Sequence, residues 1–167
     1  MSEVDTSARA ERAAALKERI YVTFAVLAVV IALDSHGHVA PLEAIVTTVV
    51  TALGMLMAIF TADLISHLMV HDRFWSGREL RHAAASTFGS LGALVLPLIL
   101  LLLALFGVWD THVGLQASSF ALLAALVVYG WLAIRRLPLQ WWQRAIVLCA
   151  EALLGLVVIV LQILAHS

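Results

Sequence analysis

Charge, cysteine and proline are all scarce in this 167-residue chain: 13% of residues are charged, one is cysteine and three are proline. A soluble domain is about 25% charged. A water-soluble globule of the present composition would not have enough polar groups to cover its surface. The single cysteine, Cys149, excludes an intrachain disulfide framework and any cysteine-rich metal site. A net charge of −1 leaves no basic footprint for nucleic acid. No G-x-G-x-x-G, Walker loop, H-E-x-x-H or G-x-S-x-G occurs, so no motif names a reaction and catalysis is not expected.

What fills the chain instead is apolar: 63% of residues, with a mean hydropathy of +1.02. This predicts an integral membrane protein, an all-α polytopic helix bundle. A crossing helix needs about 20 mostly apolar residues to match a hydrocarbon core about 30 Å thick. Five stretches qualify or come close, at 20–33, 42–67, 83–108, 113–134 and 145–165. The first is short, but Ala13–Leu16 extend its apolar face, and Arg19 can lay its stem along the helix while its head reaches the headgroups. Pro97 falls inside the third, where its missing N–H and its ring predict a kink. Residues 1–19 are rich in Ala, Glu and Arg, with Asp5 and Arg9 one helical turn apart. They are expected to form a cytoplasmic helical tail continuous with the first span, ahead of a five-span domain over 20–167.

Basic residues set the expected orientation. Arg9, Arg12, Lys17 and Arg19 precede the first span, Arg73, Arg78 and Arg81 lie between the second and third, and Arg135, Arg136 and Arg144 lie between the fourth and fifth. All ten Lys and Arg therefore fall on alternate sides, which predicts a cytoplasmic N-terminus, an outer C-terminus and a multi-pass place in a plasma (bacterial inner) membrane. Trp75, Trp109, Trp131, Trp141 and Trp142 all fall near expected span ends, where amphipathic indoles belong. A competing reading makes 20–33 the apolar part of a signal peptide, with Ser35-x-Gly37 as a passable cleavage site. The mixed-charge 19 residues before it and Pro41 after Ala40 argue for a retained span.

Ionisable groups inside the hydrocarbon are costly and mark candidate sites. Asp63 lies ~13 Å in from the inner end of the second span and Glu151 ~10 Å in from the inner end of the fifth, so the two share a depth. His67 is one turn from Asp63 and His71 one turn further, while Ser86, Thr87 and Ser90 enter the third span from the same side. One reading is a polar vestibule of Asp63, His67, Glu151, Ser86, Thr87 and Ser90. Two close carboxylates at low dielectric do not both ionise easily, so they hold a proton or share a cation. The other reading is a set of polar pairs that fasten helices together, with His71 at the interface. Thr48, Thr51, Met55, Ile59, Asp63 and His67 share a stripe on the second span, which either lines a path or forms an interhelical hydrogen-bonding face.

The outer side is acidic and rich in histidine. Asp34-Ser35-His36-Gly37-His38 places a carboxylate and two imidazoles within five residues, near Glu43, Asp110, His112 and His166, with no Lys or Arg. Asp34, His36 and His38 have the donor types for one divalent cation or for pH sensing. The alternative is a solvated turn bent at Gly37, with Pro41 opening the next helix, Glu43 in its first turn and Asp110 as an N-cap. The run Ala83–Ala93 is thin, which permits close packing against a neighbour in the chain or in an oligomer.

Glu18-Arg19-Ile20-Tyr21-x-Thr23, with Ala62-Asp63-x-x-Ser66-His67, resembles small multi-span bacterial integral membrane proteins to which no activity is assigned. The resemblance implies membrane residence and no more. The vacuolar iron transporters also have five spans, but their Asp-Gly signature is missing here. The lysosomal-type potassium channels of bacteria have Phe-Ser-Asp after an early Arg, whereas Arg19 is followed by Ile20-Tyr21-Val22. The leading expectation is a small homo-oligomeric proton or cation channel or transporter that uses intramembrane carboxylates, because five short spans enclose little space alone. The alternative is an accessory or scaffold subunit that docks a cytoplasmic partner through its N-terminal tail. Apart from a divalent cation at the outer loop, no cofactor is expected.

Overall fold

The structure, a computed structural model, describes residues 3–135 and 141–143 together with positions 146, 149, 153, 157 and 160; side chains are described from Arg12 onward, except at 71, 82 and 134. The elements are α1 (Glu3–Ser35), α2 (Pro41–His71), α3 (Gly77–Gly89), a 3-10 segment (Ser90–Leu94), α4 (Val95–Leu105) and α5 (Thr111–Ile134). There is no strand among the described residues, so the architecture is all-α, as the composition predicts.

Local chemistry sets the boundaries. α1 ends in a turn at Gly37, whose φ of +76° favours a residue without Cβ. Pro41 then opens α2 at a position where the missing N–H costs nothing. α3 begins at a full capping box: the Ser76 hydroxyl accepts from the Glu79 amide, and the Glu79 carboxylate accepts from the Ser76 amide. α4 closes on Gly107, also at φ +76°, where the Gly107 amide donates to the Ala104 carbonyl and the Val108 amide to that of Leu103. The kink expected at Pro97 takes the form of the 3-10 segment just upstream. The proline ring opposes an α-helical carbonyl at Ala93, and tightening to i→i+3 bonds relieves that conflict.

Among the described residues, three helical runs are long and apolar enough to cross a membrane: Pro41–Val70, Gly77–Leu105 and Thr111–Ala133, whose apolar 18-residue stretches have mean hydropathies of 2.1, 2.6 and 1.7. They contain most of the expected second, third and fourth spans. The first expected span, 20–33, is part of α1 and is not among the three. Its apolar run is bracketed by Arg19 and Asp34 and rises only ~21 Å. The expected tail and this run share one unbroken helix. The Asp5–Arg9 pair and most of the fifth expected span lie outside the described residues and side chains.

Apolar side chains cover much of the outside as well as the core, unlike in a soluble bundle. Val46, Val50, Leu53 and Met57 of α2, and Phe120 and Val128 of α5, face outward, whereas Glu18, Thr23, Thr48, Thr87, Ser90 and Ser118 are buried. α1 packs most extensively on α5 and also against α2 and the 3-10 segment. Its buried stripe Val22, Val26 and Val30 meets the Ala44–Ala52–Leu56 row of α2 and the Leu115–Leu122–Leu126 row of α5 in one core. Where α4 meets α5, Gly114 lets the backbones approach: a Cβ there would lie 3.2 Å from both Ala104 Cβ and Trp109 Nε1. Trp109 Nε1 is itself held by donating to the Leu100 carbonyl at 3.2 Å.

Candidate functional site

The polar cluster between α1, α2 and α3 is built around a residue that the sequence reading assigned to the tail. Glu18 lies one turn before Val22, so the buried face of α1 continues onto it and leaves it only 4% exposed. The Ser86 hydroxyl of α3 donates to its carboxylate, and the Asp63 carboxylate of α2 lies within electrostatic reach. The adjacent Lys17 is exposed and supplies an opposite charge. Glu18 Oε2, Thr87 Oγ1 and Ser90 Oγ are buried with no hydrogen-bond partner among the described residues. A buried hydroxyl without a partner costs about 1–3 kcal/mol and a buried charge more, so the cluster fits a place where water, a proton or a cation is accommodated.

Asp63 and His67 reach this region because the inward row of α2 continues toward its C-terminal end. Ala44, Thr48, Ala52 and Leu56 are buried, and Ile59, Asp63 and His67 remain half-buried beyond them. None of Thr48, Thr51, Met55, Ile59, Asp63 and His67 is exposed, so the expected stripe faces the bundle. Elsewhere hydroxyls bond the preceding turn: Thr23 donates to the Arg19 carbonyl at 2.7 Å and Thr61 to that of Met57 at 2.8 Å. Thr48 does not, and its Oγ1 has no partner among the described residues. His67 sits against Trp75, ring centroids 5.6 Å apart, and Trp75 packs edge-on to Phe60 at 5.5 Å. Trp75 is thus folded back along α2. Glu151 and the side chain of His71 lie outside what is described; among the described residues, the carboxylate within electrostatic reach of Asp63 is that of Glu18.

The loop between α2 and α3 is tied down by charge. Arg73 makes a two-pronged contact with Glu79, at 2.9 and 2.7 Å. Together with the capping box this holds the Glu79 carboxyl well below the usual range and raises the Arg73 guanidinium further. Asp72 ends α2 in the left-handed region at φ 50°. On the thin part of the third span, Gly89 and Gly92 are exposed and a Cβ on either would meet nothing within 4 Å.

At the turn between α1 and α2, the structure divides the expected Asp34–His36–His38 set. Asp34 Oδ1 pairs with His112 Nδ1 of α5 at 2.6 Å, and the other His112 nitrogen lies 3.1 Å from the Gln116 amide. His36 Nδ1 instead donates to the Ala32 carbonyl of its own helix at 2.6 Å. Asp34, His38, Asp110 and His112 line one cavity of about 430 Å³. Asp110 occupies the expected N-cap position of α5 but makes no side-chain cap bond. Glu43 is exposed in the first turn of α2, and His166 lies outside the described residues. Among the described residues, no three His, Cys, Asp or Glu side chains are grouped to hold one metal ion.

Glu18 is the functional candidate that sequence reading missed. Its signal was the i, i+4 series Glu18–Val22–Val26–Val30, which places it on the core face, whereas the composition of residues 1–19 placed it in solvent. No family model, curated protein or solved structure matches the chain.

Proposed function

We propose that the protein is a small proton or cation channel or transporter of a bacterial inner membrane, working as a homo-oligomer, with Glu18 and Asp63 in its pathway. The observation that carries this reading is the buried Glu18 carboxylate, hydrogen-bonded by Ser86 of α3 and within electrostatic reach of Asp63 of α2, while the hydroxyls of Thr87 and Ser90 further along the same run are buried without partners among the described residues. A carboxylate pair in such surroundings exchanges a proton or neutralises itself with a cation. The inward stripe from Thr48 to His67 supplies polar groups along α2 toward the pair. Five crossings with the N-terminus inside accord with the alternation of all ten basic residues. The open glycines Gly89 and Gly92 suit a neighbouring copy, which would complete a pathway that one chain is too slight to enclose.

The test is ion flux in proteoliposomes for H⁺, K⁺, Na⁺ and divalent cations, with wild type beside Glu18→Gln, Asp63→Asn and Glu151→Gln. The expected result is a selective flux reduced at least tenfold by Glu18→Gln and by Asp63→Asn, with thermal stability retained. Normal flux in both variants would remove the pair from the pathway. No flux from folded wild type would favour an accessory subunit, to be sought by its co-purifying partner.

A further inference from the structure

We propose that the outer cavity binds a small organic ammonium ion, with Asp34 and Asp110 as its counter-charges. This site is separate from the Glu18–Asp63 cluster and does not depend on its function.

The charge balance points to a cation. Asp34 closes α1 and Asp110 precedes α5, and both line the cavity of about 430 Å³. No Lys or Arg occurs from Ile20 to Asp72 or from His82 to Ile134, so the only titratable cations near these carboxylates are histidines. His38 and His112 are the two that line the cavity. Each helix end carries about half a charge, but the negative end of α1 and the positive end of α5 meet here and offset one another. Asp110 adds a further sign. At an N-cap a carboxylate normally accepts from the first-turn amides, yet this one makes no such bond and lines the cavity.

Size and donor placement choose the class of cation. Among the described residues, no three donors are grouped for a metal ion. Asp34 already accepts from His112, whose other nitrogen meets Gln116, and this chain of contacts fixes the carboxylate on one wall. A cavity of this volume is in the range of small-molecule sites and far larger than a bare ion needs. Leu33, Val39 and Leu115 give it apolar walls. An ammonium head between carboxylates and a compact alkyl or aryl body against these side chains satisfies both features.

The experiment is calorimetric titration of the full-length protein in nanodiscs with benzylammonium chloride, and with benzyl alcohol as its uncharged analogue. Saturable binding of one benzylammonium per chain is expected, with benzyl alcohol at least tenfold weaker. Asp110→Asn keeps an N-capping residue, so the fold is preserved, and should weaken binding about tenfold or more; Asp34→Asn should do the same. Glu43→Gln, on the same side but not lining the cavity, should leave affinity within twofold. Equal binding of benzyl alcohol, no saturable binding, or unchanged affinity in Asp110→Asn would each overturn the assignment. So would Zn²⁺ binding that benzylammonium does not displace, which would give the cavity to a metal.

Discussion

Single positions in this protein are decided by what the neighbouring helix presents. Gly114 is open to no side chain because Ala104 and a hydrogen-bonded Trp109 stand 3.2 Å from where its Cβ would be. Gly114→Val should therefore lower stability by about 1–3 kcal/mol through overpacking, read as a lower unfolding temperature in detergent. Gly89→Val, at an open and exposed glycine, should leave it nearly unchanged in monomeric preparations. Ser118, fully buried, donates to the Gly114 carbonyl at 2.7 Å and to the Pro97 carbonyl at 3.3 Å, which ties α5 to the helix that the proline disturbs. Glu18 belongs to the same scale. Its burial was legible from its spacing to Val22, but the companions Asp63 and Ser86 come from two other helices and no local pattern names them.

At the scale of elements, helix ends and breaks follow from short-range chemistry. Ser76-x-x-Glu79 is a capping box readable in the chain, and Arg73 strengthens it by pairing with Glu79. Because the Glu79 carboxyl is held below its ordinary range, its contribution is fully present above about pH 4.5 and is lost as pH falls from there through the lowered value. Amide exchange at Arg78–Leu80 should thus be steady from pH 8 to 5, after correction for intrinsic rates, and should accelerate in stronger acid. Arg73→Ala should produce the same fraying at neutral pH; slow exchange there would mean that the cap alone holds the turn. Pro97 was equally legible as a disturbance. That it tightens the helix to three residues per turn over Ser90–Leu94, with Ser90, Ala93 and Leu94 all buried, depends on the packing of α1 against that segment.

Among the described residues, many large apolar side chains face outward while a few hydroxyls and Glu18 are buried within an otherwise apolar core, as suits a bundle in lipid. The proposed five crossings and cytoplasmic N-terminus would put position 36 outside and position 74 inside. In a Cys149→Ser background, an impermeant maleimide added to intact cells should label His36→Cys and spare Phe74→Cys until the cells are permeabilised. Both residues are exposed, so accessibility within the protein does not limit either reaction. The reverse pattern would invert the orientation, and labelling of both in intact cells would put both loops on one side.

The all-α class and the three long apolar helices were determined by composition and by runs of apolar residues, because a helix in lipid must satisfy its own backbone and span a set thickness. The turns at Gly37, Pro41 and Gly107 are similarly local, set by which dihedral angles a residue permits. Only the tertiary structure decided which polar groups meet. Depth along a helix is readable from residue number, but azimuth relative to another helix is not, so no local pattern names Glu18 as the carboxylate that packing brings within electrostatic reach of Asp63. The same physics set Asp34 against His112, 78 residues away, rather than against the histidine two residues on.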